Sequence, residues 1–215
     1  TIAGPNMITL DSVVLSAQYA ANPVYRDLDE LREALAKVYQ DAIKAFYDAG
    51  CRYLQLDDTS WGALFSKRFR DRITACGYDP DKLIDVFGDI TEAALEGRPS
   101  DMVITTHMCK GNFMSHWLYE GTYETVARRL LGIRGIDGFF LEYDDERSGD
   151  FSPLRFLSKD TDQRVVLGLV TTKDPKLEDA APIRDRIYEA AKVVDLDRLC
   201  LSPQCGFSST EEGNV

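Results

Sequence analysis

Long hydrophobic runs are missing from this 215-residue chain: none approaches the ~20 apolar residues that crossing a bilayer requires. Positive charge is short as well. With 25 Lys and Arg against 36 Asp and Glu, the formal charge is −11, which repels phosphate backbones and argues against a nucleic-acid partner. Cysteine is too sparse for a disulfide scaffold and its count, five, is odd, so the thiols read as reduced and the compartment as cytoplasmic. The N-terminal stretch TIAGPNMITL has no basic region of a signal peptide and no initiator Met, so the chain is expected to begin partway through a gene product. No Gly/Ser or Pro-rich linker and no low-complexity tract divides it, and we read residues 1–215 as one domain. Also absent are Gly-x-Gly-x-x-Gly, a Walker loop and Gly-x-Ser-x-Gly, which removes the common nucleotide and acyl-transfer readings.

What is present is an alternation of short apolar runs and longer amphipathic stretches. The runs are 52–57 (RYLQLD), 101–107 (DMVITTH), 138–142 (GFFLE), 165–170 (VVLGLV) and 199–202 (LCLS). Each has strand length and suits a strand buried on both faces. A sixth strand is expected at 1–3 or 7–10. Between them, 28–49 carries Leu28, Leu31, Leu35, Val38, Ala42, Ile43 and Phe46 at helical spacing, with Gly50 as the C-cap. Residues 80–95, 122–131 and 181–194 follow the same pattern, the second opening near Gly121 and the third near Pro182.

Alternating strands and helices predict right-handed βαβ units and a parallel sheet. Asp57, Asp58, His107, Cys109, Glu142, Lys173 and Cys205 all fall at or just past a strand's C-terminal end. A (β/α)8 TIM barrel brings every such end to one mouth, whereas an open doubly wound sheet brings together only the neighbours of its switch point. The barrel is the expected fold. Six strands fall short of eight, and the sequence stops soon after its last strand. The expectation is therefore an incomplete, C-terminal portion of a barrel, without its N-terminal strands and closing helix.

Two motifs can carry metal chemistry. In Thr105-Thr106-His107-Met108-Cys109-Lys110, a His and a Cys two apart can point the same way and reach one ion. Alone the pair is a weak signal, since a core histidine beside a small hydrophobe reads identically. In Ser202-Pro203-Gln204-Cys205-Gly206, Pro fixes the backbone past a strand and Gly lets it turn around the thiol; the plain alternative is an inert cysteine in a turn. A shared mouth makes the motifs support each other as zinc-type ligands. Glu142 can fill a fourth position, with Asp144, Asp145 and Glu146 as competitors that otherwise read as solvated loop charge. Asp57 suits a substrate ammonium group or an N-cap. Cys51, Cys76 and Cys200 have no partner pattern, Cys200 reads as core, and His116 reads as packing.

With these residues in place, the chain resembles the catalytic barrel of cobalamin-independent methionine synthase, and most closely its short single-barrel relatives. The likeness is strongest over 51–60, 101–112, 136–145 and 164–214, including LGLVTTK and LSPQCGFSSTEEGN. It implies zinc held by His107, Cys109, Glu142 and Cys205, and Asp57 holding the amino group of homocysteine. Two departures concern the methyl donor: the strand region Gly4–Leu10 has no Trp for a folate ring to stack on, and Lys173 stands where the long enzymes have an acid histidine. The general acid expected on this resemblance is thus Lys173 or a bound water.

The implied reaction is methyl transfer from a folate-type or other donor to homocysteine, giving methionine. Its partners are small molecules, with neither nucleic acid nor membrane, and the oligomeric state is left open. The alternatives are a zinc-binding barrel without methyltransferase activity and a metal-free barrel decarboxylase, which needs no Cys205. A structural zinc site favours close Cys-x-x-Cys pairs, and a barrel metallohydrolase wants His-x-His; neither pattern occurs.

Overall fold

A computed structural model describes residues 1–174 and 176–207. Six parallel strands form one sheet: β1 Ile2–Ala3, β2 Tyr53–Asp57, β3 Val103–Met108, β4 Gly138–Glu142, β5 Arg164–Val170 and β6 Leu199–Pro203. They lie in chain order, each beside the next. A doubly wound sheet must reverse its order at a switch point, so that alternative is excluded. Unbroken order places every right-handed crossover on the same face, as in a barrel wall. The described residues nonetheless make an open wall of six strands, not a closed eight-strand barrel. Closure needs β1 to meet β6, and among the described residues neither edge has a second neighbour.

The crossover helices are α1 Leu28–Asp48, α2 Lys67–Ala75, α3 Pro80–Leu95, α4 Glu124–Leu130 and α5 Ala180–Ala190. Asp27 caps α1 by accepting from the Glu30 amide at 2.9 Å, and Asp79 caps α3 through the Asp81 amide, also at 2.9 Å. Gly50 ends α1 at φ +96°, the left-handed turn glycine favours. Leu54, Leu56, Ile104, Phe139, Leu141, Val165 and Leu167 form the covered face of the sheet. They share one core with Leu31, Ile43, Leu83, Phe87, Ile90, Val126 and Leu130 of the helices. On the opposite face Tyr53 and Val103 are exposed.

The N-terminal expectation needs correction at 7–10. These residues are helical, in Pro5–Met7 and a π-helical segment Ile8–Val14 that buries Leu10, Val13 and Val14. The strand is β1. Three further helical stretches, Ala17–Ala21, Trp61–Phe65 and Lys67–Ala75, were not anticipated from the sequence.

Candidate metal centre

The register of the sheet builds the site. β2 pairs with β3 so that Asp57 stands directly opposite His107. Asp57 Oδ1 accepts the hydrogen bond of His107 Nδ1 at 2.8 Å. That bond orients the ring and leaves Nε2, 3.3 Å from the Gln204 carbonyl, as the nitrogen available to an ion. Burial works against a charged His107, but the hydrogen bond and charge of Asp57 outweigh it and raise the pKa. The Asp57 side chain is 46% exposed, and among the described residues only its Oδ1 is engaged.

Cys109, two residues past His107, shares its side of the strand and is buried. Cys205 arrives from the exit of β6, half-buried. The ligand atoms of His107, Cys109 and Cys205 all lie within 4.8 Å of one another. Of the four metal ligands implied by the resemblance, these three come together. The neighbouring Cys109 thiol lowers Cys205 to about 6 against the effect of burial, with the nearby His107 charge helping. The same contact, with burial, pushes the Cys109 thiol up.

Two glycines make this convergence sterically feasible. β5 carries a bulge between Gly168 and Val170 where it pairs with β6, which re-aims the segment leading to Cys205. A Cβ on Gly168 would lie 2.7 Å from Gln204 Cα and 2.9 Å from the Leu141 carbonyl oxygen, both backbone atoms that cannot rotate away. Gly111, just past Cys109, has φ +94°, and a Cβ there would lie 2.7 Å from the Leu118 amide nitrogen.

Glu142 stands outside the three-donor group. Met108 pairs with Leu141, which puts Glu142 across from Cys109 on the neighbouring strand, fully buried. Its carboxylate is held elsewhere. Oε2 accepts from the Lys110 amide at 2.8 Å, and Oε1 from Arg147 Nη2 and Lys173 Nζ, each at 3.2 Å. Burial raises its pKa while the Lys173 charge opposes the rise.

Sequence reasoning missed the rest of this charged cluster. Asp144 was expected as solvated loop charge, yet its side chain is only 1% exposed, 3.6 Å from Lys173 and 3.9 Å from Arg147. Lys110 is wholly buried: its ammonium donates to the carbonyls of Gly121 at 2.7 Å and Arg147 at 3.2 Å and faces the rings of Phe65 and Tyr123. Burial lowers it to about 8. The sole sequence signal for Lys110 was its place beside Cys109. Thr172 binds the side-chain amides of Asn112 and Gln204, tying the exits of β3, β5 and β6 together. His116, expected to pack, is exposed; its backbone closes a turn with Phe113. Cys200 is half-buried in register with Val166.

The model of the family described as cobalamin-independent synthase, catalytic domain, matches residues 3–215. The uncharacterized protein YxjH of Bacillus subtilis (strain 168) is 49% identical over 215 residues, all of this chain and 55% of its own length. The chain thus spans about half the length of the curated relatives it matches most fully. A candidate vitamin-B12-independent methionine synthase of Listeria monocytogenes superposes with a TM-score of 0.72. It is 40% identical and covers 99% of this chain and 58% of its own. The B12-independent methionine synthase of Shewanella sp. W3-18-1, 21% identical with a TM-score of 0.63 over 87% of this chain and 51% of its own, shares the fold. With a match across nearly every residue and the three soft donors gathered at the strand ends, this chain belongs to the cobalamin-independent synthase catalytic-domain family.

Proposed function

We propose that this chain carries the thiol-activating half of a zinc-dependent methyltransferase, one that moves a methyl group from a folate-type or other donor to homocysteine, giving methionine. The observation that carries the proposal is the approach of His107, Cys109 and Cys205 to within 4.8 Å of one another in a chain of this family. One imidazole and two thiols are a soft donor set suited to zinc, and Glu142 across from Cys109 is the fourth donor we assign. When bound, zinc supplies a centre that keeps a substrate thiol ionised at neutral pH, where a free thiol of pKa ~8.5 is mostly protonated.

The protein's own groups set up the rest. Asp57 Oδ1 fixes His107, while Oδ2 receives the homocysteine ammonium group. With a folate-type donor, the substrate sulfur then forms its bond to the methyl carbon as that donor's carbon–nitrogen bond breaks. That nitrogen is a poor leaving group until protonated, and Lys173 is the acid we assign to it. An ammonium has three protons, so its bond to Glu142 leaves two for this purpose.

The test uses the full-length protein, with metal analysis and then methyl transfer to homocysteine from methyl-folate, methyl-corrinoid and simple S-methyl donors. The expected result is about one zinc per chain, lost in Cys205→Ser, and methionine formed from at least one donor. Zinc content indifferent to Cys205→Ser, or a zinc-loaded protein that methylates homocysteine from none of them, overturns the proposal.

A further inference from the structure

The cluster behind the three donors holds more charge than a single ligand needs. Glu142, Asp144, Arg147 and Lys173 have side chains between 0% and 12% exposed. Their pairing is uneven. Glu142 takes hydrogen bonds from both cations, whereas neither Asp144 oxygen has a hydrogen-bond partner among the described residues, although both are buried. Arg147 Nη1 is likewise buried without a hydrogen-bond partner among the described residues. A buried carboxylate with no donor is costly to maintain. Asp144 nevertheless forms long ion pairs with both cations, 3.6 Å from Lys173 Nζ and 3.9 Å from Arg147 Nη2, one short movement from hydrogen bonding.

We infer that Lys173, Arg147 and Asp144 form a two-position seat for the Glu142 carboxylate. In one position, the one seen here, Glu142 rests on the two cations and Asp144 waits. In the other, Glu142 turns toward Cys109 to join the donor group, and Asp144 closes on Lys173 and Arg147 Nη2 so that Lys173 is not left without an acceptor. Arg147 is anchored throughout by Asp145, which accepts from its Nε at 2.6 Å. Because the cations keep an acceptor in either position, the difference between the two is small, as a displaceable ligand requires. Lys173 and Arg147 are on this account positioning residues that weaken the fourth ligand, making room for a substrate thiolate.

The inference rests on the zinc reading above, and its test reads metal affinity, not turnover. Zinc dissociation constants are measured by chelator competition on full-length protein, in a double-mutant cycle with Glu142→Ala. Lys173→Met is expected to tighten zinc about tenfold when Glu142 is present, and Asp144→Asn to weaken it by a similar factor, because Lys173 then has only Glu142 to hold. In the Glu142→Ala background both effects should shrink to within about twofold, and Lys173→Arg should restore the wild-type value. Asp144→Asn is isosteric and loses no hydrogen bond, so it keeps the test standing if Lys173→Met folds poorly. Equal effects with and without Glu142 mean that the charges act only through their field, which overturns the seat while leaving the zinc site intact. A wild-type protein that binds no zinc removes the zinc reading and the seat together.

Discussion

Two adjacent carboxylates at the end of β2 show how far the environment decides what a residue does. Asp57 points to the open face and grips His107 through one oxygen. Asp58 points into the protein, where Asn6 donates to it at 2.9 Å and the Ser60 hydroxyl donates as well. Partners of metal-bound histidines typically contribute ten- to hundred-fold to metal affinity. Asp57→Ala should therefore weaken zinc by about tenfold and also raise the homocysteine requirement; a variant that changes only the latter would show that the His107 bond is unimportant to the ion. Asp58 makes a different prediction. Burial raises it to about 6 from 3.8, and its hydrogen bonds only partly offset the rise. Between those values the folded state binds more protons than the unfolded one, so stability falls as pH rises through that window. The loss is on the order of 2–3 kcal/mol. Asp58→Asn removes this titration, and denaturant unfolding from pH 4 to 7 should give a flatter profile for the variant. Parallel profiles would show that Asp58 stays ionised throughout.

At the scale of elements, Gly168 is the position where the fold and the site depend on the same atom. Any side chain there meets the backbone of Gln204 and Leu141. Gly168→Ala should cost about 1–3 kcal/mol by overpacking and displace the β6 exit, so that zinc binding weakens along with stability. Thermal unfolding and zinc titration on one sample check both, and an unchanged zinc affinity would place Cys205 independently of the bulge. Elements also show what a sequence discloses. The five longer strands were legible because runs such as 138–141 and 165–170 are continuously apolar. β1 has two residues and no period to read, and the apolar 7–10 imitates a strand while its residues pack as helix. α2, KRFRDRITA, is nine residues long and its apolar face is only Phe69 and Ile73, too short a stripe to stand out in the sequence. His107, Cys109 and Cys205 were legible from their chemistry. The Asp57–His107 bond joins residues 50 apart and depends on strand register, which no local pattern encodes. Asp144 and Lys110 were hidden because a charge at a strand end reads as solvated until the loops that cover it are known.

For the molecule as a whole, the proposed metal links distant stretches of chain. His107 and the Gln204 carbonyl beside Cys205 are 97 residues apart in sequence. An ion that binds the folded state and not the unfolded one stabilises by mass action, about 2.7 kcal/mol at a hundredfold excess over its dissociation constant. Zinc should thus raise the melting temperature by several degrees, Cys205→Ser should abolish the rise, and Cys76→Ser, at an exposed thiol, should keep it. A rise of equal size in Cys205→Ser would mean the ion acts elsewhere.

The unbroken strand order has a consequence for how the protein is made. Because every strand pairs with the one before it, a growing chain can add β2 to β1, β3 to β2 and so on, with no strand waiting for a partner still to be synthesised. His107 and Cys109 are in place after three strands, but Cys205 follows the sixth. The proposed metal site is therefore completed only with the last of the six described strands, and a chain interrupted before β6 holds His107, Cys109 and Glu142 without Cys205.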